Sequence, residues 1–190
     1  MVNDQWSMAN GATIPRVEAL KSVLIRHERE DDAAAIRSVY QSAFPETGEA
    51  RAVDELRKTS DLYLGLVAED DGSVVGHLVL TEVSLATHAG DRRGLGLAPM
   101  GVAPAHQKKG IGGALVREAI AEGKRRGDDF IVVMGDAGYY GRFGFRRGAP
   151  TLRWRSESYD PYFMVYPLRE GILDDLRGTV TYHPAIESLE

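Results

Sequence analysis

Residues 97–120 read LAPMGVAPAHQKKGIGGALVREAI. An apolar run containing Pro99 gives way at Val102 to a basic, glycine-rich turn, and an amphipathic pattern follows. A strand that hands over to a helix in this way has a physical use. The first turn of a helix leaves about four backbone N–H groups without intrahelical partners, and the helix dipole adds partial positive charge there. Glycine at 110, 112 and 113 lets the backbone come close to a ligand. With Gln107, Lys108, Lys109 and Ile111 these glycines make a turn suited to a phosphate or pyrophosphate. A helix that begins with glycines only to pack closely on a sheet would read the same over so short a stretch. Two familiar phosphate loops do not fit. No Gly-Lys-Ser/Thr tripeptide follows, and a dinucleotide fingerprint would need Gly or Ala where Leu115 stands.

Outward from this junction the pattern predicts a helix over 110–127, with Leu115, Val116, Ala119 and Ile120 on one stripe and Gly127 as its stop. GLGLAPMGV before it predicts a strand in which Pro99, lacking an N–H, marks a bulge or an unpaired edge. Two strand patterns upstream are joined by Asp71-Gly72, a hairpin signal. SVLIRHE predicts a first strand, and DDAAAIRSVYQSAF a helix capped by Asp31 or Asp32 with Ile36, Val39, Tyr40 and Ala43 on one face. A second helix is expected over 49–58. Downstream, DFIVVMG reads as a buried strand, YYGRFGF as a turn or short helix, and YFMVYPL as a late strand. The order implies one mixed α/β (α+β) domain over 22–190, preceded by a flexible extension over 1–21.

The bulk numbers exclude several classes. The 43% hydrophobic and 27% charged composition is that of an ordinary globular protein. A net charge of −5 argues against general nucleic-acid binding. The absence of cysteine removes disulfides, thiolate metal sites and thiol nucleophiles, and suits a cytoplasmic location. No apolar run approaches membrane-spanning length, and the N-terminus lacks a signal-peptide layout, so no membrane partner is expected. Histidines 27, 77, 88, 106 and 183 show no metal-ligand spacing, and no metal is expected.

Gln107-x-x-Gly110-x-Gly112, opening an amphipathic helix after a strand, resembles the acetyl-CoA signature of the GNAT superfamily of N-acetyltransferases. Tyr140-Gly-Arg-Phe-Gly144-Phe145, one helix and one strand later, resembles that family's Y-x-x-x-G-F segment. The fuller string MGDAGYYGRFGF is similar to the YhbS-like branch. The resemblance in element order covers about 22–168.

The resemblance implies a mostly antiparallel sheet splayed at the signature strand and flanked by helices, with acetyl-CoA as cosubstrate. It implies that the pantetheine arm pairs with Met100, Gly101 and Val102. Pro99 supplies a reason, since a break there leaves backbone groups without neighbours. The pyrophosphate is then expected on Gln107, Lys108, Lys109, Gly110, Ile111, Gly112 and Gly113. Tyr140 falls on the general-acid position. With a phenol pKa of about 10 against a thiol near 8.5, a hydrogen bond to the developing thiolate is as reasonable as full transfer. Many relatives carry a basic Glu on the signature strand, whereas residues 95–102 here contain no acid. Glu82, His77 and Glu46 stand as candidate bases, directly or through water. Transfer is expected to run directly from acetyl-CoA to a primary amine, small or on a protein or peptide, in a ternary complex. A non-catalytic acyl-CoA-binding or regulatory module is the alternative, and a homodimer is left open. Segments 42–50, 82–93 and 153–162 are expected to line the acceptor side, with Ser156–Asp160 offering acids to a cationic amine.

Overall fold

The computed structural model describes residues 23–46, 48–86, 92–148, 151–155 and 157–189. The expected extension over 1–21, Ser22 of the first strand pattern, His88 and parts of the three acceptor-side segments lie outside the described residues.

The hairpin is the centre of the sheet. Strands β2 (Tyr63–Asp70) and β3 (Ser73–Ala86) turn at Asp71 and Gly72, whose φ angles of 47° and 74° are both left-handed. That is the type I′ geometry whose twist matches paired antiparallel strands. β1 (Val23–His27) adds to the β2 edge, and β4 (Gly94–Val102) to the β3 edge, both antiparallel. β5 (Phe130–Met134) is parallel to β4, and β8 (Phe163–Pro167) and β6 (Arg146–Arg147) complete the path β1-β2-β3-β4-β5-β8-β6. β9 (Gly178–Thr181) pairs with the far end of β3 and with β7 (Leu152–Trp154).

Two irregularities on β4 position the site. The first is a bulge. Leu80 pairs with Leu97 but Leu78 pairs with Met100, so Ala98 and Pro99 together oppose Val79. A single extra residue exchanges the two faces of everything beyond it. Gly96 faces one layer and Leu97 the other, and beyond the bulge Met100 and Val102 are aimed into the Leu97 layer. The second is a splay. β4 and β5 pair only from Gly94–Phe130 to Gly96–Val132. The expectation that Pro99 itself strips Met100–Val102 of neighbours is corrected here. On the β3 side the ladder resumes after the bulge, and the open edge comes from the divergence of β5.

Strand alternation divides the core between two layers. Leu78, Leu80, Leu95, Leu97, Ile131 and Val133 meet helix α3 (Ile111–Arg126), through Ile111, Leu115, Val116 and Ala119. Leu115 is fully buried, and its truncation to Ala should cost about 2–5 kcal/mol. On the other face Val79, Val83, Phe130 and Val132 meet α1 (Ala33–Ala43), α2 (Gly48–Thr59) and the C-terminal segment with Trp154 and Tyr182. The stripe expected on α1 is largely inward, with Ile36, Val39 and Tyr40 buried.

Asp32, one of the two expected caps, stands at the N-cap position of α1, but its side chain is used differently. A single 3₁₀ turn over 30–32 precedes the helix, and the Asp32 carboxylate makes no cap bond to it. Instead it accepts from the Arg29 N–H at 2.8 Å and holds the Arg26 guanidinium at 2.6 and 2.9 Å. A buried carboxylate beside a guanidinium gains more from that bidentate pair than from one amide. The segment 153–162, expected to line the acceptor side, begins in strand β7 and contains a 3₁₀ turn over 157–159. The short helices α4 (Ala137–Gly141), α5 (Ile172–Asp175) and α6 (Pro184–Glu187) complete the described fold.

Candidate active site

Above the start of α3 lies a groove of about 760 Å³. The strand and turn contribute Met100, Val102, Gln107, Lys108, Gly110, Ile111, Gly112 and Gly113 to its walls. Gly110 sits at the helix N-cap in the left-handed region, at φ 89°. Ala103 N–H donates to the Val75 carbonyl at 2.9 Å. Alternation along the strand then turns the N–H and C=O groups of Met100 and Val102 away from β3, toward the open edge. The Gln107 amide donates to the Val102 carbonyl at 3.0 Å, tying the turn back to that edge.

Two expected members stand apart. Gly101 faces the other layer, where a Cβ would meet the Tyr40 ring at 3.1 Å. Lys109 is exposed and does not line the groove.

The structure adds lining residues that the sequence reading missed: His106, Arg117, Tyr139, Arg142 and Phe143. Arg142 lies 4.5 Å from the centre of the Tyr139 ring and 5.3 Å from that of Phe143, and Arg117 lies 5.4 Å from Phe143. Such stacking fixes the two guanidinium groups at the groove wall. Among the described residues no carboxylate lines the groove, so they make it cationic in a chain of net charge −5. A signal for Arg117 was present, because it follows Gly113 by one helical turn.

Tyr139 and Phe143 therefore face the groove, while Tyr140 is turned inward. Tyr140 is only 8% exposed, and its ring packs edge-on against Tyr139 at 5.0 Å and Phe145 at 5.5 Å. Burial raises its pKa above the ordinary phenol value, and the neighbouring Tyr139 adds to this, so the hydroxyl stays protonated.

Of the candidate bases, Glu82 and Glu46 are exposed. His77 is fully buried, with Nε2 3.0 Å from the Glu28 carboxylate and Nδ1 3.1 Å from the Tyr40 hydroxyl. That hydroxyl lies 3.0 Å from the Pro99 carbonyl oxygen, so the chain of contacts ends on the β4 bulge. Burial lowers the His77 pKa despite Glu28. Burial alone would lift the Glu28 carboxyl, but His77, Tyr63 and Arg57 hold it below its ordinary value. The imidazole is neutral and enclosed, and its contacts anchor the bulge. Among the described residues no cluster of three or more potential metal-ligating side chains is found. No described helix is long and apolar enough to cross a membrane.

A sheet splayed after Gly96, with a cationic groove over a glycine-rich helix start on its open edge, defines the acetyltransferase class of α/β domains. Residues 24–148 match the sequence profile of the acetyltransferase (GNAT) domain, and the chain belongs to that family. It is 34% identical over 163 residues to the uncharacterised N-acetyltransferase YhbS of Escherichia coli K12, covering 85% of this chain and 96% of that one. The crystal structure of E. coli YhbS in complex with CoA superposes with a TM-score of 0.83 at 31% identity, over 95% of this chain and 98% of that one. A GNAT acetyltransferase from Brucella melitensis in complex with acetyl-CoA gives 0.71 at 37% identity, over 86% and 97%.

Proposed function

We propose that the protein is an acetyl-CoA-dependent N-acetyltransferase that passes the acetyl group directly to a primary amine in a ternary complex. The observation that carries this reading is the cationic groove at the start of α3, running along the free edge of β4. Met100 and Val102 offer that edge to the pantetheine amides as an added strand would. The N–H groups at the head of α3 take the pyrophosphate, and Lys108, Arg117 and Arg142 supply the countercharge for the phosphates. The crystallised relatives named above, with CoA or acetyl-CoA bound, support the choice of cosubstrate.

In the reaction a neutral amine attacks the thioester carbonyl, the C–S bond breaks, and the amine's proton leaves to water. The chain's part is alignment, worth a large share of the barrier in a two-substrate transfer, and stabilisation of the developing charges. Tyr140, kept protonated by burial, donates a hydrogen bond to the departing sulfur. The alternative is a non-catalytic acyl-CoA-binding module, favoured only by the lack of an acid on β4. Release of free thiol from acetyl-CoA in the presence of a panel of amines tests the choice. Thiol release that depends on an amine supports transfer. Tight CoA binding with no release for any amine supports the module.

A further inference from the structure

Tyr182 follows the last residue of β9 and is 3% exposed, yet its hydroxyl has no hydrogen-bond partner among the described residues. Buried hydroxyls are nearly always paired, so an orphan of this kind needs a reason. Its position supplies one. Thr181 pairs with Ser84 on β3, and from there the Tyr182 ring crosses Gly96 on β4. A Cβ on Gly96 would lie 2.5 Å from Cε1 and 2.7 Å from Cδ1 of that ring, so only glycine admits it. Gly96 is also the last residue of β4 that pairs with β5. The ring therefore lies where the sheet opens, with the edge nearest Gly96 adjoining the hydroxyl-bearing carbon.

A second orphan marks the same spot. Thr81 is the direct cross-strand partner of Gly96, so its side chain emerges on the same face, and its hydroxyl is likewise buried and unpartnered. The opposite face of the opening carries the cofactor groove and Tyr140. Burial raises the Tyr182 pKa, and Tyr140 adds to this, so the phenol keeps its proton.

We propose that the Tyr182 hydroxyl is a second phenol of the reaction site, donating a hydrogen bond to the acyl carbonyl oxygen in the gap between β4 and β5. It approaches from the face opposite the groove, and the phenol keeps its proton throughout while the oxygen gains negative charge. The orphan is then a donor whose acceptor is the substrate. This inference rests on the acetyltransferase reading above.

Tyr182→Phe keeps the ring and removes only the hydroxyl. Turnover with one good amine is expected to fall by about 100- to 1,000-fold, the range for losing one donor to a developing oxyanion. Affinity for acetyl-CoA relative to CoA should fall as well, and the thioester carbonyl stretch of bound acetyl-CoA should move to higher frequency in the infrared. The melting temperature should hold or rise, because no bond within the protein is lost. Equal turnover and an identical carbonyl band in variant and wild type would overturn the proposal. A clear drop in melting temperature would overturn it too, since it would mean the hydroxyl is paired within the protein. If wild type itself fails to bind acetyl-CoA, both readings fall. If wild type binds and reacts and the variant matches it, this one alone does.

Discussion

The Tyr139 hydroxyl lies 2.6 Å from the position that a Cβ would take on Gly112. One residue thus roofs the groove and the other keeps its floor bare, and the space between them is the first turn of α3. A side chain at 112 has to enter the volume where the pyrophosphate is expected, and a carboxylate would also repel it. Gly112→Glu should abolish CoA binding by calorimetry. The melting temperature should change little, because the clash is with the far end of a movable side chain. A variant that binds CoA like wild type would show that the turn has another purpose.

Tyr140→Phe tests the inward-facing phenol. Acetyl-CoA affinity is expected to hold while turnover falls by about 10- to 1,000-fold. Because burial raises the phenol pKa, no loss of activity near pH 10 should be traceable to Tyr140. Unchanged turnover would reduce it to a packing aromatic between Tyr139 and Phe145.

Proton removal from the amine is expected to have no dedicated base. Glu82 and Glu46 are exposed, and His77 is sealed behind Tyr40. The rate, as kcat/KM, should climb with pH toward the acceptor's own pKa, since the neutral amine rises about tenfold per unit below it. Glu82→Gln and Glu46→Gln should each cost less than about tenfold. A profile already flat near pH 7, with a hundredfold loss in one variant, would identify that residue as the base.

His77 and Glu28 tie stability to pH. A histidine whose folded pKa lies below its ordinary 6.5 takes up protons more readily when unfolded, so stability falls as pH drops below that value. Glu28, with its folded pKa below 4.5, contributes stability above that value and loses it in more acid solution. The melting temperature should therefore decline in two stages, first below about pH 6.5 and again below about pH 4.5. His77→Gln, though less stable at pH 7.5, should show a smaller decline between pH 7.5 and 5.5. An equal decline in both proteins would place the acid sensitivity elsewhere.

The parts legible in the sequence were those governed by local backbone chemistry. Asp71-Gly72, Pro99 and the glycines at 110–113 each restrict φ, ψ or hydrogen bonding at one point, and the structure puts a turn, a bulge and a helix start there. The strands β6, β7 and β9 were not read, because two to four residues such as Leu152–Trp154 show no period and pair with distant partners. The side chains of the site divide likewise. Met100 and Val102 came from the family resemblance, but their turning into the Leu97 layer required the bulge. His77 was legible only as a candidate base, and its partner Glu28, 49 residues away, left no signal. Tyr182 was invisible, since its meaning depends on Gly96 passing beneath its ring.

The central claim is direct acetyl transfer to an amine, and initial rates of thiol release with acetyl-CoA and one accepted amine varied together test it most directly. Transfer in a ternary complex predicts reciprocal plots that intersect, with release strictly dependent on the amine and matched mole for mole by the acetylated product. Parallel plots would mean a covalent acetyl-protein, for which this chain has no cysteine. Thiol release without any amine product, or none at all from a protein that binds CoA tightly, would contradict the account.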